Sequence, residues 1–236
     1  MGLLLTSLVP ALLLLWWLWP LWRRWCILCA AQPTPQERQL RDLSRVWIVG
    51  HTGSGKSTTA RRLAARLGTH TWIDLDELHW LPKWRERPDE EMGQLLRKAM
   101  RNAGGEGAEH QRWVVSGNYT RPPCGALLRT TATAVVWVRP RFTQLLRQLV
   151  WRTLDRAVFG TPCCNGNRES LWTTLCTRDS ILYYAWSRAQ LVDAKLTRLL
   201  DSMRHGTGAL ILRSRAEVDT FVTTAQACHW PCRGTL

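Results

Sequence analysis

The run Arg45-Val46-Trp47-Ile48-Val49-Gly50-His51-Thr52-Gly53-Ser54-Gly55-Lys56-Ser57-Thr58 decides the reading of this chain. It opens on a short β-prone stretch. From Gly50 to Ser57 it fits the phosphate-binding pattern G-x-x-x-x-G-K-[ST]. The chemistry explains the spacing. Glycines let backbone N–H groups turn inward around a phosphate. Lys56 supplies a point charge and Ser57 a hydroxyl for Mg²⁺. Gly50, Gly53, Ser54, Gly55, Lys56, Ser57 and Thr58 are therefore the candidate phosphate-binding residues. Downstream, Ala60, Leu63, Ala64 and Leu67 share one helical face, and Gly68 is a stop signal. A helix there aims its N-terminus at the anion.

Further along, Thr71-Trp72-Ile73-Asp74-Leu75-Asp76 reads as a second strand ending in Asp-x-Asp. If the strand persists, its period of two puts both carboxylates on one side. One acid near Mg²⁺ and one near an acceptor hydroxyl suit phosphoryl transfer; a solvated acidic turn is the plain alternative. His79, Trp80, Trp84, Arg85 and Arg87 follow as an aromatic and basic cluster, either acceptor-binding or a cover on the core. Residues 89–101 predict a helix with Met92, Leu95, Leu96 and Ala99 inward, and 102–109 a Gly-rich loop. Trp113–Val115, Ala134–Val138 and Ala209–Leu212 complete the strands. Strands alternating with helices predict a three-layer α/β fold with a central parallel sheet of about five strands. Between Arg139 and Arg168 lie six arginines opposed by Asp155 and Glu169. Arg152 and Arg156 share a helical face. Arginine there suits the charge that phosphoryl transfer spreads over equatorial oxygens, whereas a solvated basic helix is the bland reading. The turn-rich stretch 161–167 suits a mobile lid, placed at about 152–170.

The chain has 236 residues, 45% of them apolar, which excludes wholesale disorder. It carries a net charge of +14, 15 Trp, 3 Tyr and 3 Phe. That charge raises nucleic acid, anionic membranes and phosphorylated small molecules as partners. Residues 45–236 keep +12 of it, much of it in the lid region, which favours small phosphorylated molecules and leaves nucleic acid possible but not favoured. No helix-turn-helix, zinc-finger or RNP-type signature accompanies the charge. Gly2–Trp22 is an uncharged run followed by Arg23 and Arg24. A helix of this length covers about 31 Å, one hydrocarbon core. Residues 1–22 are thus expected as a membrane anchor or signal-anchor with a cytosolic domain behind it. A cleaved signal peptide ending near Cys29-Ala30-Ala31, myristoylation at Gly2 and an extended gene model stay open, the last implying a cytoplasmic protein. Residues 23–44 read as a Pro-containing linker, and 45–236 as the folded domain. Cys26 and Cys29 suit palmitoylation or inert thiols, and the remaining six cysteines are scattered, with no disulfide framework.

The succession GHTGSGKST, IDLDELHW, WVVSGNY, VVWVRPR and NGNRESLW resembles the adenylate-kinase-like P-loop proteins labelled topology modulation proteins. The resemblance runs from about Arg45 to about Arg215. It implies a P-loop nucleoside-monophosphate-kinase-like fold with an Arg-bearing lid, and it implies ATP and Mg²⁺. It makes Lys56, Asp76, Arg152, Arg156 and Arg168 the catalytic candidates, Ser57 and Asp74 the metal site, and Asn118 part of the loop after the third strand. The Asp-x-Asp is also similar to that of shikimate-kinase-like enzymes. Two positions depart from the family: Ser116 replaces an Asp, and Arg139 an acid after the fourth strand. The expected activity is transfer of the ATP γ-phosphoryl to a nucleotide or hydroxyl acceptor. An ATP-binding regulatory or DNA-associated protein with little catalysis, or a membrane adaptor with a degraded nucleotide site, is the alternative.

Overall fold

The computed structural model describes residues 37–68, 70–103, 111–159, 161, 164–167 and 181–225. Five strands form one sheet: β1 (Arg45–Gly50), β2 (Thr71–Asp74), β5 (Trp113–Ser116), β6 (Ala134–Val138) and β7 (Gly208–Leu212). Their order is β2-β5-β1-β6-β7, and every pairing is parallel. The near-continuous apolar strands follow from burial on both faces. Val46 and Ile48 point into one core; Trp47 and Val49, one residue out of phase, point into the other.

Helices cover both faces, giving the expected three layers. On one side Ala60, Leu63 and Leu67 of α1 (Lys56–Leu67) meet Val218, Phe221 and Val222 of α7 (Arg215–Thr224). On the other, α3 (Asp89–Asn102), α4 (Cys124–Thr131) and α6 (Ile181–Asp201) contribute Met92, Leu96, Leu128, Leu196 and Leu200 around the fully buried Trp47, Trp113 and Trp137. An indole buries about 150–250 Å², so these three are large contributors to the core between sheet and helices. Helix α5 (Phe142–Phe159) packs on α6.

β1 lies between β5 and β6, so the chain runs to one side of β1 first and crosses to the other side after β5. That switch point opens a crevice at the carboxyl ends of the strands, where α/β sheets bind ligands. The phosphate loop leaves β1 into it.

Some expectations change. The second strand stops at Asp74, which caps α2 (Leu75–His79). A hairpin of β3 (Trp80–Leu81) and β4 (Arg85–Glu86), unforeseen from the sequence, follows. Leu40 and Leu43, assigned above to a linker, are buried in the core, and Arg38 bridges to Ala209. The expected membrane span, and with it the membrane as a partner, finds no support: among the described residues no helix is long and apolar enough to cross a bilayer, and residues 1–22 lie outside them. Residues 1–36, with the Cys26/Cys29 pair, and the tail from residue 226 lie outside the described residues.

Candidate active site

The phosphate loop is shaped by what its glycines exclude. A Cβ at Gly50 would lie 2.5 Å from the Val138 carbonyl oxygen and 2.6 Å from the Ser54 hydroxyl. Gly53 holds φ +80° and presses against Leu149 of α5, where a Cβ would meet that side chain at 3.0 Å. Such a loop leaves donors unspent. The N–H groups of Gly53, Gly55, Lys56 and Ser57 find no acceptor among the described residues. The Ser54 Oγ is buried and has no hydrogen-bond partner among the described residues. Orphan donors at a helix N-terminus, with a buried hydroxyl beside them, fit a bound phosphate group.

Asn118 fixes where this loop begins. Its Nδ2 donates to the Gly50 carbonyl at 2.6 Å, and its Oδ1 accepts from the Gly50 N–H at 3.0 Å. The loop after β5 is thereby clamped to the loop after β1.

The acids converge on Lys56. Asp74 ends β2, and its Oδ1 accepts from the Asp76 N–H at 3.1 Å as the cap of α2. This capping turn brings the two carboxylates together, in place of the strand periodicity expected from the sequence. The Lys56 Nζ lies 3.6 Å from Asp76 Oδ2. The Ser57 hydroxyl lies near enough to the Asp74 carboxyl to favour its ionised form. Burial, and then the charge of Asp76, push the Asp74 carboxyl above its ordinary value; Lys56 and Ser57 pull the other way. A carboxylate that is costly to ionise, beside a hydroxyl in reach of phosphates, suits a divalent cation.

Tyr119, to which the sequence reading gave no role, donates to Asp76 Oδ1 at 3.0 Å. Burial and the Asp76 charge keep its phenol protonated by raising its pKa. The rings of His79 and Tyr119 lie 4.8 Å apart, His79 and Trp80 4.8 Å, and Trp80 and Trp84 5.5 Å. The aromatic cluster therefore runs from Asp76 outward to Trp84, which is 41% exposed. Arg87 is spent locally, on the Leu78 carbonyl and Glu91.

Both departures from the family pattern have partners. The Ser116 Oγ accepts from Trp72 Nε1 at 3.2 Å, and Asp74 stands directly opposite it in register on β2. A carboxylate is thus present one strand over. Arg139 lies over the Trp137 ring at 4.8 Å and donates to Asp193 Oδ2 at 2.7 Å. His51, inside the phosphate loop, is 2.7 Å from Asp193 Oδ1. Burial opposes ionisation of Asp193, yet the hydrogen bonds from His51 and Arg139 outweigh it and hold the carboxyl below its ordinary value.

Arg152 and Arg156 are half-buried on α5. Leu149 touches the loop, and positions three and seven residues later follow the same helical face. Arg168 lies outside the described residues. The turn Cys164–Asn167, expected to be mobile, is docked on the segment that follows Asp76. The Asn165 Nδ2 donates to the Glu77 and Trp80 carbonyls at 2.7 and 2.6 Å. The Asn167 Nδ2 donates to the Leu81 carbonyl at 3.0 Å, and its Oδ1 accepts from the Trp84 N–H at 3.0 Å.

Strand order, loop and crevice define a P-loop kinase-like fold. No family model and no curated protein matches the chain. Among solved structures it is similar to a gluconokinase from Sinorhizobium meliloti, at 17% identity over 78% of this chain and 89% of that chain, TM-score 0.42. It is similar to a shikimate kinase from Bacteroides thetaiotaomicron, at 16% identity over 75% of this chain and 93% of that one, TM-score 0.42. A sugar kinase from Janibacter sp. is also similar, at 14% identity over 75% and 88%, TM-score 0.43. Likeness at this level assigns no role to any residue.

Proposed function

We propose that the chain is an ATP-binding small-molecule kinase of the kind its resemblance to the topology modulation proteins implies, transferring the γ-phosphoryl to a hydroxyl or nucleotide acceptor. The observation that carries this reading is the meeting of Lys56, Asp76, Asp74 and Ser57 at the switch-point crevice, with Lys56 Nζ 3.6 Å from Asp76. In this reading the loop from Gly50 to Thr58 holds the ATP phosphates. Lys56 balances their charge. Ser57 and Asp74 would hold Mg²⁺, which supplies charge neutralisation across the phosphate oxygens. Asp76, held by Tyr119, orients the acceptor hydroxyl and takes its proton. Arg152, Arg156 and Arg168 would balance the charge on the transferred group. The acceptor stacks along His79, Trp80 and Trp84.

A second reading, nucleotide binding with little turnover, draws on Ser116 and Arg139, both spent on structural partners. A coupled ATP assay over a panel of polyol, hydroxy-acid and nucleoside-monophosphate acceptors separates the two. The kinase reading expects one acceptor class to stimulate ADP release, and Lys56→Ala or Asp76→Asn to lower the rate at least about 100-fold, roughly 2.7 kcal/mol of barrier. Tight ATP binding with no stimulation by any acceptor would favour the second reading; loss of neither binding nor rate in Lys56→Ala would sink both.

A further inference from the structure

Outside the crevice, on the far side of the loop that follows β5, lies a shallow groove of about 340 Å³ lined by Thr120, Arg129, Lys195, Arg198, Leu199 and Ser202. Three of its walls are cationic and none is acidic. No carboxylate pairs with Arg129, Lys195 or Arg198 among the described residues. A groove of about 370 Å³ on the outer side of α3 is different: Glu91 sits among Arg97, Lys98 and Arg101, and Arg97 pairs with Glu90 at 3.5 Å. Its basic charge is partly offset by these acids, whereas no acid lines the groove at Lys195.

The cations of this groove are oriented. The Arg129 Nη2 donates to the Thr120 carbonyl at 2.9 Å, and the Lys195 Nζ donates to the Asn118 carbonyl at 3.0 Å. Each side chain keeps further N–H donors after those bonds. Fixing them costs entropy in advance, which a ligand does not then have to supply. Asn118 is also the residue whose side chain clamps Gly50.

We infer that the groove between α4 and α6 binds a small oxyanion of the phosphate class, and that its occupancy steadies the Asn118 clamp on the phosphate loop. The coupling part rests on the nucleotide-binding reading of that loop; the site itself does not. Burial, together with Arg121 and Arg129, depresses the Lys195 pKa in the absence of such a ligand. An anion would offset that repulsion and favour the charged Lys195 that donates to the Asn118 carbonyl. Nucleotide and oxyanion should then each tighten the other's binding, since coupling is reciprocal.

The test is pyrophosphate titration of the full chain by calorimetry, with a non-hydrolysable ATP analogue saturating the phosphate loop. One pyrophosphate is expected to bind under those conditions. Arg198→Glu, at an exposed position, should weaken it at least about tenfold, with an unchanged melting curve confirming the fold; Arg129→Gln should act likewise. No pyrophosphate binding with the analogue in place, or binding indifferent to Arg198→Glu and Arg129→Gln, overturns the site. If the analogue fails to bind while pyrophosphate binds and Arg198→Glu removes it, the nucleotide reading falls and the groove stands. Coupling predicts that pyrophosphate binds about fivefold more tightly with the analogue than to Lys56→Ala without it. Equal affinities overturn the coupling.

Discussion

Asp193 on α6 accepts from His51 in the phosphate loop and from Arg139 after β6, both at 2.7 Å. It ties a helix of the outer layer to two loops at the carboxyl edge of the sheet. Hydrogen bonds to a charged partner contribute about 1.5–3 kcal/mol each. Asp193→Ala should therefore lower stability by a few kcal/mol and weaken nucleotide binding, read by denaturant unfolding and by titration. The pH dependence has a definite sign. A carboxyl held below its ordinary value lends its full stability above about pH 4 and loses it as pH falls through the lower folded value. Acid unfolding of the wild type should accordingly be steeper than that of Asp193→Asn. Asp74 has the opposite sign. Its carboxyl is raised, first by burial and then by Asp76, so its ionised form costs stability from about pH 4 upward, in full above the folded value. Asp74→Asn should melt higher than wild type at pH 7 without Mg²⁺ and yet lose at least about 100-fold in turnover. A variant that melts lower in those conditions would mark Asp74 as a structural cap alone.

At the scale of elements, the turn Cys164–Asn167 and the hairpin β3–β4 form one unit. Asn167 is 4% exposed, and its amide serves the Leu81 and Cys164 carbonyls and the Trp84 N–H. Asn167→Ala leaves these part-buried groups without that partner, at up to about 1 kcal/mol each. Amide exchange at Trp84 should speed up markedly while exchange in β1 stays slow; equal acceleration in both would mean that the turn is integral to global folding. The strands were legible because burial on both faces leaves a local apolar run, as in Ala134–Val138. The hairpin was not, since two-residue strands such as Trp80–Leu81 have no period to detect. The Asp-x-Asp was recognised, but its geometry was misassigned. Asp is both a tolerable strand end and a strong helix cap, and here the cap prevails. The link from His51 to Asp193 spans 142 residues and leaves no local mark, so no spacing rule could have found it.

At the scale of the molecule, the +14 charge takes on a structure. Arg139 is matched by Asp193, whereas the cations of the groove at Lys195 face no acid among the described residues and belong to the excess. The two candidate anion sites lie on either side of the loop that carries Asn118, so ligand binding and folding are linked through the sheet's carboxyl edge. Any ligand that binds the native state alone stabilises it by RT ln(1 + [L]/Kd), about 2.7 kcal/mol at a hundredfold excess over Kd. For a fold of this size each kcal/mol moves Tm by about 2–4 °C. Mg²⁺ with a non-hydrolysable ATP analogue should therefore raise Tm by about 5–10 °C. Lys56→Ala should abolish the rise, while Arg198→Glu should keep most of it, because Arg198 lies outside the phosphate loop. A rise that survives Lys56→Ala but vanishes in Arg198→Glu would place the nucleotide's phosphates in the basic groove, and the crevice at the end of β1 would lose its claim to be the nucleotide site.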